Sequence, residues 1–196
     1  MKAITWSFEP GHTAAEFRAR HMMVTWVRGQ YKNVSGTMIF DPDDFSKTKI
    51  DVTIDATSFS TGQPQRDEHL RSSDFLDVAH HPKIEYHGKA IKILGATSFQ
   101  AIGDLTIRGA TQPVALDVTY LGQWVTPWWE DGVDRGPRLR AGFEACARIN
   151  RQVFGVSWNE VIDRGGVVVS DEIEITLDVE AVNDERVGAA GSSEAR

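Results

Sequence analysis

The chain has 196 residues, of which 41% are hydrophobic and 25% charged, the composition of a globular protein rather than a disordered one. Its 28 acidic and 21 basic residues give a net charge of −7, so its field repels phosphate backbones and anionic lipid surfaces, and we expect no nucleic-acid partner. One domain is the default at this length, because β-barrels commonly reach this size as a single unit.

The N-terminal segment predicts a cytoplasmic protein, because residues Met1–Pro10 lack the continuous apolar run of a secretory signal peptide. No run of about 18 apolar residues occurs anywhere in the sequence, so no transmembrane segment is expected. The single cysteine, Cys146, cannot form an internal disulfide, and the fold therefore does not depend on an oxidising compartment.

The strongest local signal is the alternation of apolar and polar residues with period two, which predicts strands with one wet face. It is clear at 49–56, 114–120 and 172–181. Weaker strand signals lie at 3–9, 13–20, 34–41, 83–94, 98–108 and 139–149. One-sided strands are typical of antiparallel sheets. About eight of them, separated by Gly- and Pro-bearing turns, predict an all-β antiparallel barrel, because closure removes exposed sheet edges.

Several segments depart from this pattern. Residues 22–30 and 66–79 are predicted as short helices or helical turns, placed to cap a barrel mouth. The segment 121–137 carries Trp124, Trp128 and Trp129 and is predicted as an unusually long loop. We expect the barrel to span residues 1–182 and the tail 183–196, rich in Gly, Ala, Ser and charge, to be disordered.

The strand predicted at 139–149 bears on the size of the interior. Its apolar face mixes bulky and small side chains: Leu139, Ala141, Phe143, Ala145, Ala147 and Ile149. An eight-stranded barrel is just wide enough to be filled by its own side chains or to hold one slender ligand. The alanines favour a cavity, whereas bulky residues opposite, such as Phe40 or Phe99, would fill the same space. The residues alone leave both interpretations open.

Several motifs resemble those of the YceI-like polyisoprenoid-binding family, and together they cover roughly residues 3–181. The most specific segment is Arg66–Asp77, RDEHLRSSDFLD, which follows Asp55–Thr61 and precedes Pro82-Lys83-Ile84. Other matching segments lie at 12–17, 20–29, 35–36, 103–114 and 149–156.

The resemblance implies an extended antiparallel eight-stranded lipocalin-like barrel with one or two short helices. It also implies a non-enzymatic protein that binds, transports or stores a polyisoprenoid lipid, either an isoprenoid quinone or a prenyl phosphate. Such a protein needs no cofactor other than the bound lipid. Burial of an apolar chain contributes roughly 0.8 kcal/mol per CH₂, so we expect the tail to dominate affinity and mouth residues to select the headgroup.

Candidate ligand-binding residues fall into two groups. The apolar candidates for the cavity wall, each of which is equally suited to a packed core, are Phe17, Val24, Phe40, Phe59, Leu70, Phe75, Phe99, Phe143, Phe154 and Trp158. The polar candidates for the headgroup are Arg20, His21, Arg66, His69 and Arg151. The alternative for the polar group is that each side chain bonds nearby backbone, which we favour for Arg66, beside Asp67, and for Arg151.

Other functions stay open at this point. An enzyme acting on an apolar substrate would use His21 or His69 as acid or base beside Asp67, but no catalytic motif is present and no catalytic residue is predicted. His69, His80, His81 and His87 match no metal-binding spacing, so no metal site is predicted. An interaction module, including a homodimer, would use the Trp-bearing segment 121–137.

Overall fold

A computed structural model of the chain describes residues 4–183, and these residues form twelve β-strands and one α-helix. The strands are β1 Ile4–Phe8, β2 Ala14–His21, β3 Thr25–Tyr31, β4 Val34–Phe40, β5 Lys49–Asp55, β6 Lys83–Ile93, β7 Ser98–Ile107, β8 Ala110–Thr126, β9 Trp129–Glu130, β10 Val133–Asp134, β11 Arg138–Asn150 and β12 Val169–Asn183. The helix, α1, is Pro64–Arg71. Within the described part of the chain, no helix has the length and apolar character needed to cross a bilayer.

The strands close into an antiparallel barrel of eight staves, as the sequence predicts. β1 and β2 together occupy one strand position, or stave, of the barrel, because both pair with β12. β3 and β4 together occupy the next stave, because β3 pairs with β2 and β4 pairs with β1. From there the sheet continues through β5, β6, β7, β8 and β11 back to β12. The isolated bridge between Gln30 and Ser60 ties β3 to the segment that leads to α1.

The interior divides into two parts along the barrel axis. One end is filled by an aromatic cluster, which we define as Trp6, Phe40, Phe45, Phe99, Tyr120 and Phe143. Ring centroids within it approach to 5.0 Å, between Phe40 and Phe143, and to 5.3 Å, between Phe45 and Phe99. The other end, which carries α1 and the β2–β3 turn, holds a cavity.

Strand alternation places the predicted residues of β11 inside the barrel, but the space beside the alanines is filled. Ala141 and Ala145 are buried on either side of Phe143, in the half of the barrel that the aromatic cluster occupies. Among the six residues predicted for the inner face of this strand, Ile149 is the one that lines the cavity. The small residues that border the empty space are instead Ala15 and Ala19 of β2.

The predicted helix at 22–30 is wrong, because this segment is a hairpin turn followed by β3. Met22 and Met23 adopt φ of 49° and 61°, and the Val24 N–H donates to the His21 carbonyl at 3.1 Å. The inner face of β3 contains Gly29, which interrupts the apolar alternation that would have indicated a strand. A Cβ on Gly29 would lie 2.3 Å from Phe17 Cζ, so any larger residue there would displace the Phe17 ring.

Three further boundaries differ from the predictions. The second predicted helix, at 66–79, is helical as α1 and continues after Arg71 as turns. The predicted loop at 121–137 is an extended hairpin, in which β8 runs on to Thr126 and β9 pairs with β10. At the C-terminus β12 ends at Asn183, which is buried, one residue beyond the predicted barrel. The remaining tail, predicted as disordered, lies outside the described residues.

Candidate ligand cavity

The cavity has a volume of about 320 Å³, and its wall is almost entirely apolar. Inward-facing residues of β2, β3, β5 to β8, β11 and β12 form its sides. One face of α1, the turns after it and the segment 154–158 cover the end. The aromatic cluster separates the cavity from the opposite end of the barrel, so a ligand would enter beside α1.

Ten of the predicted ligand-binding residues line this cavity. They are Phe17, Arg20, His21, Arg66, His69, Leu70, Phe75, Arg151, Phe154 and Trp158. Phe17 comes from β2, whereas Leu70 and Phe75 come from α1 and the turn that follows it. Phe154 and Trp158 belong to the segment that precedes β12.

The other five predicted residues do not line the cavity. Phe40, Phe99 and Phe143 are buried in the aromatic cluster, because residues from several strands meet at that end of the barrel. Phe59 is buried behind Phe17 and stacks under the Arg71 guanidinium, which lies 4.7 Å from its ring centroid. Val24 lies in the β2–β3 turn and is 80% exposed. These five are therefore core or surface residues.

Arg66 and Asp67 fasten α1 to the segment before it. The Arg66 guanidinium donates to the Thr61 hydroxyl at 2.7 Å and to the Thr61 carbonyl at 2.9 Å. The buried Asp67 carboxylate accepts from the Thr61 N–H at 2.9 Å and from the Ser60 hydroxyl at 3.2 Å. Burial alone would raise the pKa of Asp67, but these hydrogen bonds outweigh it and lower the pKa. The structural role that the sequence favoured for Arg66 agrees with these contacts.

Arg151 is 4% exposed, and its guanidinium binds backbone rather than open space. It donates to the carbonyls of Ser170 at 2.9 Å, Val156 at 2.6 Å and Trp158 at 2.9 Å. Burial lowers the pKa of Arg151, and the nearby Asp171 carboxylate partly restores it. Arg151 therefore holds the covering segment against the start of β12.

The remaining polar candidates lie at the α1 end. Arg20 stacks on Trp26, with its guanidinium carbon 4.1 Å from the ring centroid. The His69 imidazole lies 2.9 Å from the Asp74 carboxylate and meets the Trp158 ring edge-on at 4.9 Å. His21, which ends β2, borders the cavity and has an intermediate exposure.

Two of the other histidines each contact a separate carboxylate. His80 contacts Asp77 and His87 contacts Asp51, each at 2.9 Å. A different group, Glu9, His12 and Glu180, places three potential metal-ligating atoms within 4.8 Å of one another. Arg140 pairs with Glu180 in this group, which lies outside the cavity wall, so it behaves as a network of ion pairs.

Sequence reasoning missed several residues of the cavity wall. The alternation in the strand predicted at 172–181 did place Ile173, Ile175 and Leu177 on one face, which is the face that lines the cavity. Tyr31 and Tyr86 were not singled out, although each is a buried inward-facing residue of a strand. Tyr31 was not recognised because the six residues before it in β3 fall in the helix predicted at 22–30, whereas Tyr86 follows the alternation of its strand.

Comparison with known proteins agrees with this architecture. A family model described as the YceI-like domain matches residues 6–181. Protein YceI of Escherichia coli is 35% identical over 174 residues, covering 89% of this chain and 83% of that protein. BcnA of Burkholderia cenocepacia superposes with a TM-score of 0.72 at 22% identity, covering 88% of this chain and 98% of BcnA.

A third similar protein is a polyisoprenoid binding domain from Saccharophagus degradans implicated in plant cell wall breakdown. It superposes with a TM-score of 0.61 at 12% identity, covering 93% of this chain and 99% of that domain. Both structural neighbours share the lipocalin-like closed barrel with this chain.

Proposed function

The chain belongs to the YceI-like family, and from that premise we propose that it binds a polyisoprenoid lipid inside its barrel and carries or stores it unchanged. The observation that carries this proposal is the almost entirely apolar cavity, shut at one end by the aromatic cluster. The structural neighbour from Saccharophagus degradans is described as polyisoprenoid binding, which supports the same ligand class.

The dimensions of the cavity suit one slender chain. Small-molecule sites occupy about 300–1,000 Å³, and at about 320 Å³ this cavity lies at the lower end of that range. Burial yields roughly 0.8 kcal/mol per CH₂, so each methylene group that the cavity encloses adds to affinity without any polar contact. This gain has to exceed association and ordering costs of about 4–15 kcal/mol, so affinity depends on how much of the chain the barrel encloses.

The contacts of the polar residues favour a carrier over an enzyme. An acid–base pair would require His69 or His21 to lie against Asp67. His69 instead contacts Asp74, and the Asp67 carboxylate accepts hydrogen bonds from Ser60 and Thr61. These groups are therefore occupied in holding α1 and its neighbouring turns in place.

Mass spectrometry of an organic extract tests the proposal directly. We expect protein purified without detergent to yield one prenyl lipid at close to one molecule per chain, and an unrelated soluble protein to yield none. Recovery of a chemically altered lipid after incubation with the protein would support the enzyme alternative instead.

A matched pair of variants locates the lipid. Ala19→Phe places a ring in the cavity and is expected to abolish lipid recovery, because Ala19 lines the empty space. Ala115→Phe makes the same substitution on an exposed position of β8 and should leave recovery unchanged. Equal recovery from both variants would show that the lipid does not occupy the barrel, and their melting temperatures establish that both are folded.

A further inference from the structure

The turn between β2 and β3 exposes apolar side chains beside the open end of the barrel. Met22 and Met23 are 44% and 53% exposed, and Val24 is more exposed still. His21, directly before the turn, lines the cavity, and so does Val168, whose carbonyl accepts from the Met22 N–H at 2.8 Å. This turn, which we call the rim turn, therefore borders the opening through which a ligand would pass.

The backbone of the rim turn is one that methionine does not favour. Met22 and Met23 both have positive φ, and the Val24 N–H donates to the His21 carbonyl, as in a type I′ hairpin turn. Asn-Gly and Asp-Gly are strongly preferred at these two positions, because other side chains are sterically disfavoured there. Two exposed methionines therefore stabilise the turn less than a polar pair would. A contact that their apolar side chains make outside the barrel explains their presence.

The hairpin that carries the rim turn is basic, although the chain has a net charge of −7. No acidic residue occurs between positions 17 and 40. Arg18 lies directly opposite Arg28 in the strand register, and Arg20 lies directly opposite Trp26. The guanidinium carbons of Arg18 and Arg20 are 4.6 and 4.1 Å from the centroid of the Trp26 ring. Three positive charges and one tryptophan thus share one face of the hairpin.

Part of this positive charge has no counterion within the protein. Arg18 pairs with Glu174 of β12. Among the described residues, no carboxylate forms an ion pair with Arg20 or Arg28. Like charges directly opposite each other in a sheet are destabilising, so an anionic group bound beside Arg28 would relieve its repulsion with Arg18. The basic face is therefore complementary to an external anion, and it adjoins an exposed apolar turn.

We propose that the rim turn inserts into a phospholipid bilayer, that Arg20 and Arg28 bind the phosphates of anionic lipids beside it, and that the open end of the barrel then faces the membrane. Apolar side chains flanked by basic residues and a tryptophan suit the boundary between headgroups and acyl chains. A protein partner would need about 800 Å² of surface on each side, which so short a turn does not offer.

The charge distribution also fixes the orientation of the docked barrel. The negative net charge repels the rest of the chain from an anionic surface, so the basic hairpin is the part that approaches it. Docking goes beyond the proposed function, because it does not depend on which lipid the cavity holds. It would place the cavity opening against the phase in which apolar lipids dissolve.

Sedimentation with vesicles tests the apolar contact. Wild type should bind vesicles of phosphatidylcholine and phosphatidylglycerol in equal parts. The double variant Met22→Asn/Met23→Asn removes the apolar side chains and suits positive φ, so it should weaken binding about 10- to 100-fold without lowering the melting temperature. The matched control, Trp124→Ser/Trp129→Ser, removes exposed rings from the other end of the barrel and should bind as wild type does.

A second pair of variants tests the charge. Arg28→Gln should weaken binding to the anionic vesicles about 5-fold, because each basic residue near such a surface contributes to the attraction. Lys92→Gln removes an exposed charge near the closed end of β6 and should have no effect. On vesicles of phosphatidylcholine alone, wild type should bind more weakly, and Arg28→Gln should not differ from it.

An environment-sensitive dye on a single cysteine reports the orientation. In a Cys146→Ser background, which removes the natural cysteine, the dye is attached through Val24→Cys or, on the Trp-bearing hairpin, through Val133→Cys. Its emission should shift to the blue on vesicles at position 24 and not at position 133. A shift at position 133 alone, equal binding by Met22→Asn/Met23→Asn and wild type, or no binding by wild type would overturn this inference. Lipid recovery from the purified protein is measured without vesicles, so the lipid-binding proposal would stand in each of these cases.

Discussion

Replacing Arg151 with methionine separates a structural role from a ligand-binding role for a guanidinium in the cavity wall. Arg151 is 4% exposed and binds the carbonyls of Ser170, Val156 and Trp158 at 2.9 Å or less. Methionine keeps much of the apolar stem but donates no hydrogen bond. The covering segment then loses its main attachment to the start of β12.

The magnitude follows from those contacts. The three shortest bonds at about 1–1.5 kcal/mol each, less some recovered cost of burying the charge, give a loss near 3 kcal/mol in the free energy of unfolding, and the longer bond to the Val169 carbonyl at 3.3 Å adds little to it. Domains of ordinary stability unfold at about 5–15 kcal/mol, so the variant still folds and the loss is measurable. Urea unfolding followed by Trp fluorescence is the assay, because Trp158 lies in the affected segment.

Arg148→Met is the matched control. Arg148 lies three positions earlier, on β11, with its side chain 67% exposed, and its nearest carboxylate oxygen, on Glu174, is 3.5 Å away. Exposed ion pairs of this kind contribute about 0–1 kcal/mol, so the control should unfold nearly as wild type does. If Arg151→Met unfolds like its control but loses lipid affinity, the structural account is refuted and Arg151 contacts the ligand.

The remaining predictions concern α1, the sheet and the Trp-bearing hairpin. The pKa of Asp67 is lowered in the folded protein, so its stabilising contribution is complete above the ordinary value of 3.8 and is lost as the pH falls below it. The difference in unfolding free energy between wild type and Asp67→Asn should therefore shrink on acidification, and a difference independent of pH would contradict this. Gly103→Ala should lower the free energy of unfolding by about 1–3 kcal/mol, because a Cβ there would lie 2.4 Å from a backbone oxygen of β6. Gly142→Ala is the control and should lower it by less than about 1 kcal/mol, because the nearest atom to its Cβ lies at 3.4 Å. Equal melting temperatures for the two variants would contradict this prediction. Replacing Trp124 and Trp129 with Ser should leave the melting temperature unchanged, since these rings are 62% and 63% exposed. Sedimentation of the same variant at several concentrations tests whether the two rings form a self-association patch. A lower molecular mass for the variant than for wild type would reveal such a patch.

The sequence alone was sufficient to predict the closed antiparallel barrel and to identify the family. Alternation is a local property, because successive side chains of a strand point to opposite faces whatever the strand packs against. It therefore placed Ile173, Ile175 and Leu177 on the inner face without knowledge of the neighbouring strands. It failed at β3, where Gly29 stands in the inner row and two residues with positive φ make the turn before it.

Only the tertiary structure decided which inward residues border empty space. Phe17 and Phe40 lie in similar local patterns, yet Phe17 lines the cavity and Phe40 is enclosed by aromatic residues from other strands. The role of Arg151 was decided in the same way, because its acceptors lie 5 to 19 positions further along the chain. Whether an inward side chain borders empty space, and whether a guanidinium finds acceptors, depends on the volumes and positions of side chains from all the strands of the barrel. No single strand contains that information.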